Sequence, residues 1–155
     1  MSGRLANEIK QSKPFGSTAE EAVLNLHRTA SRVALLVAET LKPYGITETQ
    51  YNILRILRGA GKDGLSCQEV GARMITREPD LTRLFDRLEK RRLLSRARSS
   101  EDRRVVLSRI TDQGLHLLSD LDPATRNLPR KILGHLSEAQ LRTLIDLLEK
   151  ARDPG

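Results

Sequence analysis

Between Arg73 and Arg109 the sequence carries twelve basic residues against six acidic ones, which places six of the chain's seven net positive charges in that stretch. Eleven of the twelve are arginine, whose planar fork matches phosphate oxygens and guanine edges better than a lysine ammonium does. Such a cluster can hold a polyanion through salt-sensitive phosphate contacts, or can be a solvated face laced with helix ion pairs such as Asp86 with Lys90. Other chemistries find no matching pattern. His27, His116 and His135 lie far apart and lack ligand spacing with any cysteine or carboxylate pair, so no metal site is expected. No nucleophile elbow, phosphate-binding loop or dinucleotide fingerprint occurs, so neither an enzyme nor a cofactor is expected. Cys67 follows a serine at a helix start, a place that can lower a thiol pKa, but it also falls on that helix's apolar face, where an inert thiol is the default.

The elements that must position these arginines are legible from caps and periodicity. Ser17–Glu20, Thr47–Gln50, Ser66–Glu69 and Ser137–Gln140 each have the spacing of a capping box, and each opens an amphipathic stretch. The first predicted helix runs from about Thr18 to Leu41. Its stripe of Ala19, Val23, Leu26, Ala30, Val33 and Val37 is broadened by Leu24, Leu35, Leu36 and Leu41. A second spans about Thr47 to Arg58, followed by a break at Gly59, Gly61 and Gly64. A short third helix begins at Ser66 and places Cys67, Val70, Gly71 and Met74 on one face. The fourth begins near Thr76 or Arg77, with Pro79 in its first turn. It buries Leu81, Leu84, Phe85 and Leu88 and turns a cationic face outward.

Two extended runs, Leu94–Arg98 and Arg104–Ile110, flank the turn-rich Ser99–Arg103 and read as a β-hairpin of unassigned register. A fifth helix is expected from about Asp112 to Leu121, broken by Pro123 and Pro129. A last one, about Glu138 to Ala151, is expected to bury Leu141, Leu144, Ile145 and Leu148. The predicted fold is therefore mainly α with a small β-hairpin wing. Its parts are a flexible N-terminal arm (1–16), a dimerisation helix (17–46), a winged helix-turn-helix (47–111) and C-terminal dimerisation helices (112–155). The first and last helices are too broadly apolar for one small module to satisfy, which implies a homodimer.

With 155 residues, 38% of them hydrophobic, one domain's worth of core can form. Aromatics at 3% with no Trp argue against a stacking platform for single-stranded bases. A single cysteine implies a reducing compartment, and a polar N-terminus without a long apolar run implies a cytoplasmic protein with no membrane partner.

The stretch Leu81-Thr-Arg-Leu-Phe-Asp-Arg-Leu-Glu-Lys90, followed by Glu101-Asp-Arg-Arg-Val-Val-Leu-Ser-Arg-Ile-Thr-Asp-Gln-Gly114, resembles the MarR family of bacterial transcriptional regulators, as does Gln50-Tyr-Asn-Ile-Leu-Arg55. Asp102, Arg104, Ile110 and Thr111 fit the family's Asp-x-Arg wing tip and hydrophobic-Thr ending. Arg92 departs from it, standing where family members usually have the glycine that ends the fourth helix. The resemblance implies a dimer built from the terminal helices and bound to a pseudo-palindromic double-stranded operator. The helix of about 77–91 would lie in the major groove and the wing of about 95–110 in the minor groove. Arg77, Asp80, Thr82, Arg83 and Arg87 are then the expected groove-side contacts, and Ser66 or Gln68 the phosphate contact at the preceding helix. Arg104 would enter the minor groove, oriented by Asp102, while Arg96, Arg98 and Arg103 attract phosphates. The family also implies a repressor relieved by a small, often phenolic effector. His27, Arg28, Tyr44 and Tyr51 are the weak candidates near its crevice. A winged-helix module for structured RNA or another acidic partner is the alternative, and would need no two-fold dimer.

Overall fold

The computed structural model describes residues 3–153; the expected arm and C-terminal segment each extend two residues beyond them. Within the arm, Arg4–Glu8 form a short helix, α1, with Leu5 buried and the Gly3 amide donating to Glu21. Helix α2 spans Thr18–Leu41 as predicted, capped by the Ser17 hydroxyl. A 3-10 turn at Lys42–Tyr44, begun by Pro43, ends at left-handed Gly45. Helix α3 covers Glu48–Ala60 behind a complete Thr47/Gln50 capping box, and so runs through Gly59, which the sequence assigned to the break. Strand β1, Leu65–Ser66, was not expected at all.

Helix α4, Cys67–Arg73, starts at a second complete capping box. Ser66 Oγ accepts from the Glu69 amide, and the Glu69 carboxylate accepts from the Ser66 amide at 2.8 Å. The bonds that the carboxylate accepts from the Ser66 amide and then from the Ser66 hydroxyl hold the exposed Glu69 carboxyl below its usual pKa.

Helix α5 spans Leu81–Lys90, so it starts several residues later than the periodicity suggested. Pro79 is the cause: it disfavours helical backbone at Glu78 and itself sits in the turn ahead of the helix. Strands β2 (Leu94–Arg98) and β3 (Val106–Ile110) form the hairpin, with Leu94 opposite Ile110 and Arg98 opposite Val106. The second strand is shorter than expected because residues 102–105 form the wing-tip turn, where the Val105 amide bonds to the Asp102 carbonyl. β3 also pairs with β1, giving the antiparallel order β1-β3-β2. Gly64, at φ +72°, permits that pairing, since a Cβ there would lie 2.7 Å from the Ser108 carbonyl oxygen.

Helix α6 runs unbroken from Asp112 to Leu133, correcting the expected stop at Leu121. Pro123 and Pro129 remove the amides that would serve the carbonyls of Ser119 and Thr125, which locally weakens the ladder. Packing overrides that loss. Leu118 and Leu121 are fully buried before the first proline, and α6 lies along both α2 and α3. Asp122, next to Pro123, receives both of its bonds from Arg58 Nη1 at 3.1 Å. Helix α7 occupies Glu138–Arg152 behind a third capping box. None of its residues is buried within the chain: Leu141, Leu144 and Leu148 are half-covered and Ile145 is 55% exposed. The core sits instead in the winged module and the roots of α2 and α6. It is centred on Leu41, Ile53, Leu54, Leu57, Phe85 and Leu88. No helix among the described residues is long and apolar enough to cross a membrane.

The departure at Arg92 is resolved as backbone strain. Arg92 adopts φ +57° and closes α5 as glycine would. Its amide bonds to the Glu89 carbonyl at 2.8 Å, and the Leu93 amide reaches back to Leu88 at 3.0 Å. Thr111 then joins this end to the next helix. Its hydroxyl donates to the Arg92 carbonyl at 2.6 Å and accepts from the Gly114 amide at 3.1 Å as the α6 cap. Left-handed backbone costs a non-glycine residue about 1–2 kcal/mol, partly offset by the freedom glycine gives the unfolded chain. Arg92→Gly is therefore expected to stabilise the fold by about 1 kcal/mol and raise the melting temperature by roughly 2–4 °C. Thermal melts of the two proteins at equal concentration check it.

Candidate DNA-binding surface

Helix α5 turns Phe85 and Leu88 into the core and leaves Thr82, Arg83, Arg87 and Lys90 exposed. Asp80 occupies the N-cap position without capping. Its carboxylate instead lies 3.3 Å from Arg83 Nε, both side chains being exposed. Arg77, expected on this helix, is exposed in the loop before it. On α4, Gln68 is exposed, while the Ser66 hydroxyl is engaged in its capping box.

At the wing tip Asp102 grips Arg104 three ways. One carboxylate oxygen accepts from the Arg104 amide at 3.0 Å and from Nε at 3.1 Å, and the other accepts from Nη2 at 3.1 Å. The Arg104 side chain is nevertheless 91% exposed. A bidentate pair in so open a place is a pre-oriented cation, and the Arg104 guanidinium beside Asp102 holds that carboxyl below the usual carboxylate range. Arg98 closes the turn by donating to the Arg103 carbonyl at 2.8 Å, and Arg103 itself is exposed.

Arg96 departs from expectation. It does not stand free for phosphate. Nη2 donates to Asp86 and to Glu89 at 2.6 Å each, and Nε donates to Glu89 at 3.0 Å. Asp86 thus pairs with Arg96 across the module rather than with Lys90 along its own helix. The Glu89 bond, chiefly, raises the Arg96 pKa further. Cys67 is half-buried, and burial pushes its thiol up, against smaller opposing effects from Arg96 and Thr82. No cluster of metal-ligating residues occurs among the described residues.

A crevice of about 360 Å³ opens between α2, α3, α6 and the loop leading to α5. Of the four residues expected near it, only Tyr51 lines it. Arg28 pairs with Glu8 at 3.7 Å, the Tyr44 hydroxyl donates to the Asp120 carbonyl at 3.4 Å, and His27 is exposed on α2. The polar lining that sequence reasoning missed is Glu48, Asn52 and Arg55, on one face of α3 at i, i+4 and i+7. That spacing was the available signal. The Arg55 guanidinium lies 5.8 Å from the Tyr51 ring centroid. Asn52 Oδ1 accepts from the Ile75 amide at 2.9 Å, tying the crevice wall to the loop before α5.

A helix pair whose second member is cationic and exposed, followed by a hairpin with an arginine presented at its tip, defines a winged helix-turn-helix protein. The chain matches the family model of the transcriptional regulators SarA/Rot over residues 36–121. It is 40% identical to the MarR transcription factor from Planctomyces limnophilus, spanning 88% of this chain and 98% of that one with a TM-score of 0.67. BpsR from Bordetella bronchiseptica, whose DNA binding is regulated by 6-hydroxynicotinic acid, is 25% identical over 86% of this chain and all of its own, with a TM-score of 0.75. A cysteine-to-serine MarR mutant from E. coli, solved in complex with operator DNA, shares the fold at 24% identity, 96% and 99% coverage and a TM-score of 0.77. The chain belongs to the MarR family of winged-helix, DNA-binding transcriptional regulators. The role of these relatives is regulatory rather than enzymatic.

Proposed function

We propose that the protein is a homodimeric repressor of a pseudo-palindromic double-stranded operator, relieved by a small aromatic effector. The division of labour is that of the sequence reading, with α2, α6 and α7 forming the dimer and residues 47–111 forming the DNA-binding module. Each α5 enters the major groove of one half-site through Thr82, Arg83 and Arg87, with the Asp80–Arg83 pair at its N-terminal end. Arg77 reaches the backbone from the preceding loop, and Gln68 and the α4 N-terminus meet phosphate. Arg104, steadied by Asp102, enters the minor groove, whose narrow stretches concentrate negative potential, and Arg98 and Arg103 add salt-sensitive attraction.

The observation that bears most weight is the pairing of near-complete exposure with two-point orientation at Arg104, which leaves a pre-oriented cation at the tip of the hairpin. The dimer is supported by the apolar residues left uncovered on α2 and α7, among them Val23, Leu26 and Ile145. Relief is supported by the crevice. An aromatic effector settling against Tyr51 and Arg55 would contact Ile75 and Thr76, six and five residues ahead of α5, and shift the helix that they introduce. BpsR supplies the precedent for a regulator of this fold governed by an aromatic acid.

Enrichment of duplexes from a random pool by the purified full chain tests this reading. The expected result is a two-fold-related sequence bound at least about 10³-fold more tightly than scrambled duplex at physiological salt. Equal retention of all duplexes, or preference for structured RNA, would exclude it.

A further inference from the structure

The two parts of the DNA-binding surface are joined by one side chain. Arg96 stands on β2, within the wing, and its fork spans Asp86 and Glu89 on α5, at 2.6 Å to each. Asp86 and Glu89 are three residues apart, hence neighbours on one face of the helix. The Arg96 side chain is 27% exposed, against 91% for Arg104 at the tip of the same hairpin. Two arginines on one hairpin are thus in opposite states, one presented to solvent and the other engaged inward.

The remaining links between helix and wing are apolar or backbone. Phe85, Leu88 and Leu94 share the core, and Arg92–Leu93 form the connection. Apolar contact is non-directional and leaves the angle between two elements soft, whereas a guanidinium fork fixes it. That angle matters if α5 and the wing are to meet a major and a minor groove of one duplex together. The same contact also offsets part of the negative charge that Asp86 and Glu89 place on the helix carrying Arg83, Arg87 and Lys90.

We propose that Arg96 is a positioning residue: by clamping the wing to Asp86 and Glu89 it sets the geometry that discriminates operator from other DNA, and it makes no phosphate contact of its own. The inference rests on the reading that α5 and the wing engage one duplex together.

The test compares the full-length protein with Arg96→Gln, Arg96→Lys and the exchange Glu89→Arg/Arg96→Glu. Each is titrated with the duplex most enriched by the wild type and with a scrambled duplex, over a series of salt concentrations. Arg96→Gln should lower the ratio of the two affinities by about tenfold while leaving the salt dependence of scrambled-duplex binding unchanged. Arg96→Lys, which keeps the charge but not the fork, should lose most of the same ratio, and the exchange should restore part of it. A phosphate contact would instead weaken both duplexes alike and reduce the salt slope by about one. A purely structural link would lower the melting temperature and leave the ratio intact. Either result overturns the proposal, and Arg96→Lys keeps it testable if Arg96→Gln does not fold. Failure of the wild type to enrich any duplex overturns the underlying reading as well, and is distinct from every variant outcome.

Discussion

Leu26→Asp combined with Ile145→Asp is expected to leave a folded monomer at micromolar concentration and to weaken operator binding by about 10²–10⁴-fold. The magnitude follows from geometry. Two modules held at a fixed spacing bind the second half-site as an intramolecular event, and a monomer forfeits that advantage. The positions follow from burial. Leu26 is 43% exposed and Ile145 55% exposed, and neither belongs to the buried core of the winged module. Each is among the apolar side chains that its helix leaves exposed within the chain, and full burial of such a side chain stabilises by about 1.5–3 kcal/mol. Aspartate there leaves the core at Phe85, Leu54 and Leu118 untouched, so the module's own fold should survive. Light scattering of the eluted protein, circular dichroism and a titration with the enriched duplex decide the matter. A dimer that persists with full affinity would remove the terminal helices from the interface.

The winged module was legible because its signals are local. The capping boxes at Thr47, Ser66 and Ser137 form as their spacing dictates, and the Ser17 hydroxyl caps α2. The stripe of Leu81, Leu84, Phe85 and Leu88 faces inward as read, and the first hairpin strand falls on Leu94–Arg98. What was misread depends on partners distant in sequence. β1 is only Leu65–Ser66, without periodicity of its own, and exists because Gly64 lets the chain approach Ser108. Helix α6 passes two prolines because α2 and α3 hold both halves in line, a tertiary effect that outweighs local propensity. The opposite occurs ahead of α5, where Pro79 disfavours helical backbone at Glu78 and the helix waits until Leu81.

The site divides the same way. Arg104 and Asp102 are two residues apart, so their pairing is a local expectation that the geometry supports. Arg96 looked equivalent to Arg98 and Arg103 because composition records a charge and not its partner. Its engagement with Asp86 and Glu89, ten and seven residues away, is a consequence of the strand folding against the helix. The apolar stripe of α7 shows the converse limit. Periodicity predicts that Leu141, Leu144, Ile145 and Leu148 are buried, but within one chain the three leucines are only half-covered and Ile145 is exposed.

Arg104→Ala is expected to weaken binding of the enriched duplex by roughly 10–100-fold, with little change in binding of scrambled DNA and none in melting temperature. The side chain is 91% exposed and is held by hydrogen bonds to Asp102, so its removal opens no buried cavity. The loss should concentrate at A·T-rich positions, where a narrow minor groove gives an inserted guanidinium its largest electrostatic gain. Asp102→Asn should cost less, because it removes the grip and not the cation. The pH dependence has a definite sign. Hydrogen bonds from the Arg104 side chain and then its amide lower the folded-state pKa of Asp102. The grip is therefore fully present above the ordinary carboxylate pKa and is lost only as pH falls through the lowered value, which makes its contribution flat across the neutral range. Titrations of the wild type and both variants at fixed salt and two neutral pH values separate these effects. Equal affinities for wild type and Arg104→Ala would remove the wing tip from the interface.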